Sequence, residues 1–220
     1  MPRAKLKRFL ENKDLSNLLQ EGDEIFSNLK GNWNELHFKN DLPLTVEMGC
    51  GKGEYTIGLA QVFKERNFIG VDIKGDRLWT GSKRATKDKL QNAAFLRTLI
   101  HNIYEFFAPN EVETIWITFP DPRPRDRDIK RRLTSPRFLE MYKDMLKPDG
   151  QVFLKTDSSG LFDYTLEVLS ERDDILDLEY TFDLYQSDYL KDHYDIRTNF
   201  EQKYLDLGEP IKYLKFRFKR

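Results

Sequence analysis

From residue 44 onward the chain repeats one pattern: a short apolar run, a turn, then a stretch whose apolar positions recur at the helical period. Residues 44–46 form the first such run and lead into Glu47. Gly49, Gly51 and Gly53 follow at alternate positions, after which Tyr55, Leu59, Ala60 and Phe63 share one helical face. The pattern predicts further strands over 67–72, 93–98, 114–119 and 151–156. It predicts helices over 74–90, over 103–107, from Ser135 to Leu146, and from the end of the fifth strand to about residue 172. Ser135-Pro136 suits a helix start, because Ser can cap and Pro fits the first turn. Phe138, Leu139, Met141, Tyr142, Met145 and Leu146 then make an apolar stripe, which Lys147-Pro148-Asp149-Gly150 ends with turn chemistry. Two late strands are expected, near 178–185 and over 214–218, where Leu214, Phe216 and Phe218 alternate with Lys215, Arg217 and Lys219. Five strand–helix units and a terminal strand pair specify an α/β fold with a mostly parallel seven-stranded sheet, helices on both faces and an antiparallel C-terminal strand.

Residues 1–35 lack this pattern. They read as a basic N-terminal appendage, partly disordered, with a short helix near 14–20; residues 36–220 form the domain, entered through a turn at 40–43. A chain of 220 residues suffices for one large α/β domain and is short for two. No apolar run approaches the roughly 18 residues of a membrane span. The basic N-terminus lacks the apolar core of a signal peptide. Cys50 is the only cysteine, which excludes an intramolecular disulfide and points to a reducing, cytoplasmic setting. The formal net charge of −1 hides two local basic patches: Arg3, Lys5, Lys7 and Arg8 near the start, and the run from Arg123 to Arg132.

The glycine turn is the first candidate site. Its spacing is Gly-x-Gly-x-Gly, not the Gly-x-Gly-x-x-Gly of a dinucleotide site, and no Gly-Lys-Ser/Thr follows to cradle a phosphate. Glu47 precedes the turn, and Asp72 ends the second strand, where a carboxylate can accept both hydroxyls of a ribose. Acids around a nucleoside without a phosphate loop fit a cationic nucleoside such as S-adenosylmethionine. The bland alternative is that the glycines only allow tight strand–helix packing. Asn102, after the third strand, can pair with an adenine edge or simply cap a helix. Asp121 lies between Pro120 and Pro122, which fix the backbone around one carboxylate. Arg123, Arg125, Arg127, Lys130, Arg131 and Arg132 follow, interrupted by Asp126 and Asp128. Such a run is either a solvated face or a phosphate-binding strip. Tyr185, Tyr189 and Tyr194 are expected to pack in the core or a loop, the alternative being that they line a base pocket, and His37 and His193 to lie at the surface. No His, Cys or acidic spacing suggests a metal site.

With these residues assembled, the chain resembles the bacterial tRNA (guanine-N7-)-methyltransferases of the TrmB type from about Gly31 to the C-terminus. The likeness rests on Gly31-Asn32-Trp33, Val46-Glu47-Met48-Gly49-Cys50-Gly51-Lys52-Gly53, Gly70-Val71-Asp72, Phe119-Pro120-Asp121-Pro122, Lys130-Arg131-Arg132-Leu133, Lys155-Thr156-Asp157 and Thr198-Asn199-Phe200-Glu201. The resemblance implies a class I, Rossmann-like methyltransferase fold, S-adenosylmethionine as donor, and a guanosine of the tRNA variable loop as acceptor. It implies donor contacts from Glu47, Gly49, Gly51, Asp72, Asn102 and Asp121, with Asp121 also catalytic. It places Arg125, Asp157, Thr198, Asn199, Phe200 and Glu201 on substrate-binding positions. Arg123, Arg127, Lys130, Arg131 and Arg132 are expected to contact RNA phosphates. The family loop usually reads Pro-Asp-Pro-Trp, then a Lys, then Arg-His. Here Arg123 replaces the Trp, Arg125 the Lys and Asp128 the His, and Asn102 stands where an Asp is usual. The expected partner is tRNA, with no membrane and no metal, and the assembly a monomer or homodimer. A methyltransferase acting on another RNA or a small molecule, and an inactive tRNA-binding relative, remain the alternative readings.

Overall fold

The computed structural model describes residues 3–220, with side chains from Leu6 onward; the side chains of Arg3 and Lys5 lie outside the described residues. Among the described residues, eight strands form one sheet: β1 (Leu18–Leu19), β2 (Leu44–Met48), β3 (Asn67–Asp72), β4 (Ala93–Arg97), β5 (Val112–Thr118), β6 (Leu146–Thr156), β7 (Ile175–Thr181) and β8 (Lys212–Phe218). The order across it is β1-β4-β3-β2-β5-β6-β8-β7. All pairings are parallel as far as β6, and β8 runs antiparallel to both β6 and β7. The expected class is observed, with one strand more than the seven expected. The extra strand is β1, only two residues long, which no alternation in the sequence could mark.

Among the described residues six α-helices accompany the strands: α1 (Arg3–Glu11), α2 (Glu54–Val62), α3 (Gly75–Lys87), α4 (Pro136–Met145), α5 (Ser159–Ser170) and α6 (Asn199–Asp206). Two apolar clusters lie on opposite faces of the sheet. One gathers the buried sides of α4 and α5 with Trp33, Phe38, Ile103 and Phe107. The other gathers those of α2 and α3 with Leu184, Ile196 and Tyr213. The central strands are apolar on both faces because both faces are covered. Pairing of β6 with β5 steps from Leu146↔Val112 to Gln151↔Thr114, so Lys147-Pro148-Asp149-Gly150 bulges out where the turn was expected.

Asp14 ends a 3-10 turn (Asn12–Asp14), and residues 15–20 hold a turn and β1, not the expected short helix. Leu18 and Leu19 pair with Phe95 and Leu96, burying both leucines. Leu29 and Trp33 are also fully buried, and the Trp33 indole donates to the Phe106 carbonyl at 2.8 Å. After the edge strand β1 the chain runs to the middle of the sheet at β2, passes to β3 and β4 on one side, then returns to β5 on the other. That reversal opens a crevice at the carboxyl ends of β2 and β5, the place where open α/β sheets bind ligands.

Candidate active site

The turn after β2 is shaped by glycine. Gly51 has φ +57°, and a Cβ there would meet nothing within 4 Å, so its backbone faces open space. Gly53 has φ +69°, but a Cβ there would clash with the Phe95 ring. The two glycines therefore divide the alternatives: Gly53 serves packing, whereas Gly51 leaves room for a ligand. Gly49 donates its N–H to the Val71 carbonyl at 2.8 Å, fastening the turn to β3. Asp72, at the end of β3, accepts from the Gly51 N–H at 3.0 Å and the Lys74 N–H at 2.8 Å. Turn and carboxylate are thus held in one arrangement.

Glu47 is only 3% exposed. Its Oε1 accepts from the Thr118 hydroxyl at 2.5 Å, and its Oε2 from the Thr56 N–H at 2.9 Å and the Thr56 hydroxyl. Burial raises its pKa to about 7, against the lowering effect of these hydrogen bonds. In this structure Glu47 joins the ends of β2 and β5 to α2 from beneath the turn. Asn102 lies half-buried in the short helix Ile100–Glu105, where its N–H donates to the Leu99 carbonyl at 2.8 Å.

Asp121 follows β5 in a loop with two non-glycine residues at positive φ, Phe119 at +47° and Arg123 at +46°. Such conformations cost on the order of 1–3 kcal/mol each unless their surroundings hold them. Here the Phe119 N–H donates to the Lys155 carbonyl at 2.8 Å. The Arg123 carbonyl accepts from Nε and one terminal nitrogen of Arg132, at 3.3 and 3.2 Å. The Asp121 carboxylate accepts from the Arg123 N–H at 3.2 Å and pairs with the Arg123 Nε at 3.1 Å.

The basic strip runs through the short helix Asp126–Arg131. Arg125, Arg127, Lys130 and Arg131 are exposed, with Arg127 and Arg131 beside Asp128 at 3.9 and 3.1 Å. Arg132 departs from the phosphate-contact expectation. It is buried, with its guanidinium 4.3 Å above the Tyr164 ring and its fork spent on the Arg123 carbonyl. A sequence run does not show which of its members turns inward. Leu133, at the end of the strip, lies 3.5 Å from the Cβ position of Gly49, so strip and glycine turn pack together. The Ser135 hydroxyl donates to the Lys130 carbonyl at 3.3 Å and does not cap α4.

Thr198 caps α6, its hydroxyl accepting from the Glu201 N–H at 3.1 Å. Asn199 bonds Glu54 at the start of α2 through both its backbone N–H, at 2.8 Å, and its side-chain amide. Phe200 is exposed. Asp157, after β6, is half-buried, its carbonyl accepting from Lys212 at 2.8 Å. Its carboxylate raises the pKa of the neighbouring Tyr204 hydroxyl.

Glu201 lies fully inside the protein. Its Oε2 accepts from Lys155 at 2.9 Å, both side chains being 0% exposed. Its Oε1 meets His193 Nε2 at 2.9 Å and the Tyr185 hydroxyl at 3.2 Å. Burial alone would push Glu201 up, but the His193 hydrogen bond and the Lys155 ammonium outweigh it, and its pKa lies below the ordinary value. The Lys155 ammonium also sits 4.7 Å over the Tyr55 ring and 6.0 Å from Phe119. His193 is thus an interior residue, against the surface placement expected for it. One isolated histidine in an acidic, aromatic stretch gives no periodicity from which burial could be read. His37 is partly buried, and burial lowers its pKa to about 4. Tyr185 reaches the buried Glu201 through its hydroxyl and Tyr189 packs against Tyr213, whereas Tyr194 touches Phe63 edge-on but remains exposed.

A groove of about 370 Å³ runs along α2 from the Glu54–Asn199 pair, lined also by Gly58, Gln61, Arg84, Tyr194 and Arg197. Among the described residues no group of His, Cys, Asp or Glu side chains is arranged to hold a metal ion, and no helix is long and apolar enough to cross a membrane.

A family model described as "putative methyltransferase" matches residues 41–214. The chain is 51% identical over 219 residues to a tRNA (guanine-N(7)-)-methyltransferase of Cytophaga hutchinsonii, covering 99% of both chains. It is 47% identical to a protein of the same name from Christiangramia forsetii, covering 98% of both. Among solved structures, the 16S rRNA methyltransferase KamB superposes with a TM-score of 0.63 over 91% of this chain and 96% of its own, at 13% identity. An antibiotic-related methyltransferase gives 0.59 over 81% and 88%, at 21% identity. At those identities the structural likeness shows the fold alone.

Proposed function

We propose that this chain, which belongs to the tRNA (guanine-N(7)-)-methyltransferase family, transfers a methyl group from S-adenosylmethionine to N7 of a guanosine in the variable loop of tRNA. The observation that carries the reading is local. A glycine turn with open space at Gly51 packs against the loop that presents an exposed carboxylate, Asp121, and a row of exposed cations.

The residues fit the donor. Gly51 has no Cβ, its open side is free for a nucleoside, and Asp72 is anchored beside it for a ribose. Asn102, in the short helix that follows β4, is assigned to the adenine edge. When bound, S-adenosylmethionine supplies a methyl group activated by a sulfonium. Guanine N7 carries a lone pair and no proton, so the protein needs no general base. The purine becomes cationic as the bond forms, and a fixed carboxylate at its edge favours that charge. Asp121 has this role, together with positioning. Asp157 is assigned to the guanine edge, where a carboxylate accepts from the ring N–H and amino group. Thr198, Asn199 and Phe200 flank the acceptor from the first turn of α6. Glu201 orders that turn from within. Arg125, Arg127, Lys130 and Arg131 contact phosphates, which predicts binding that weakens steeply with salt.

The test is methyl transfer to unmodified tRNA, with the modified nucleoside identified by mass spectrometry. The expected product is 7-methylguanosine. Its absence, with fresh donor and several tRNAs, would sink the proposal. Asp121→Ala is expected to lower turnover without weakening tRNA binding, and wild-type turnover in that variant would remove its assigned role.

A further inference from the structure

We infer that Arg123 is a counter-ion latch on Asp121, released when an RNA phosphate takes the guanidinium over. This rests on the functional reading above and deepens it. The Arg123 side chain is paired with the carboxylate that the chemistry needs, at 3.1 Å. A cation held there opposes the positive charge that develops on the acceptor, so the paired state is the less reactive one. The pair is 40% and 61% exposed, and ion pairs this open are weak enough to exchange partners.

The backbone beneath the pair is fixed while the side chain is free. Arg132 grips the Arg123 carbonyl through two nitrogens and is itself buried against Tyr164. Arg123 therefore changes partner by rotating its side chain, without moving the loop that carries Asp121. The neighbouring strip repeats the arrangement, with Arg127 and Arg131 both resting on Asp128. These cations lie next to carboxylates of the same loop, and a polyanion offers each a stronger partner. Arg123 is accordingly a positioning residue. It acts on the acceptor through Asp121 and makes Asp121 available only when a phosphodiester is near.

The test is a double-mutant cycle on tRNA binding, with wild type, Arg123→Gln, Asp121→Asn and the double variant titrated across a salt series. Asp121→Asn frees Arg123 and is expected to tighten binding about two- to five-fold, the range set by an exposed pair. In the Arg123→Gln background that gain is expected to vanish, and the salt slope to fall by nearly one phosphate contact. A gain that persists without Arg123 would mean simple charge repulsion between Asp121 and RNA, and would overturn the latch; so would no gain at all. Equal thermal stability of the four proteins excludes a folding artefact. Failure of wild type to methylate any tRNA would instead remove the functional reading itself.

Discussion

Replacing Lys155 by Met leaves the Glu201 carboxylate buried without its cation. Both side chains are 0% exposed and 2.9 Å apart, so water cannot take the place of the lost ammonium. Breaking such a pair from one side costs about 3–5 kcal/mol. For a domain of this size, each kcal/mol corresponds to a shift in Tm of roughly 2–4 °C, so Lys155→Met is expected to melt roughly 6–20 °C below wild type. The double variant Lys155→Met/Glu201→Gln removes both charges and is expected to recover most of that loss. The pair also sets an acid limit. Glu201 has its folded pKa below the ordinary 4.5, so its contribution is present above that value and disappears as pH falls through the folded one. Burial pulls Lys155 below the usual ammonium range, and Glu201 offsets only part of that. Denaturant melts of wild type, Lys155→Met, Glu201→Gln and the double variant, run from pH 3 to 8, read the coupling directly. A single variant losing less than about 1 kcal/mol, or a double variant as unstable as the single, would refute the charge-pair account.

Glu47→Gln tests the buried acid under the turn. Its folded pKa of about 7 is above the ordinary 4.5, so wild-type stability from this group is complete below pH 4.5 and is lost as pH rises through 7. The loss amounts to about 3 kcal/mol, and the Gln variant is expected to show a flatter stability profile over that window. Gly53→Ala is expected to destabilise by about 1–3 kcal/mol through its clash with Phe95. Gly51→Ala, with open space beside it, should fold better than Gly53→Ala yet weaken donor binding, as calorimetry would show. Arg132→Lys keeps the charge but loses the fork on the Arg123 carbonyl. It is expected to lower turnover while leaving the salt slope of tRNA binding unchanged, whereas Arg125→Gln should reduce that slope by nearly one contact.

Much of the molecule was legible in the chain. The alternation of apolar runs and helical stripes pointed to the α/β class and a mostly parallel sheet, because strand and helix periods are local properties of the sequence. The glycine turn, Asp72 and Asp121 stand at strand ends, and the parallel topology alone carries strand ends to one edge of the sheet. What the sequence could not determine is which polar group faces which. Glu47 and Glu201 look like ligand-facing acids in a motif, yet the fold turns both inward and satisfies them with Thr56, Thr118, Lys155 and His193. Arg132 and Arg131 are neighbours in one basic run, and only packing against Tyr164 makes the first a structural anchor while the second stays in solvent. The two-residue β1 forms because β4 offers an open edge, not through any propensity of its own. Local patterning thus determined the elements and their order. The burial of charge depends on partners distant in sequence, Lys155 and Glu201 being 46 residues apart, and was decided by the tertiary structure alone.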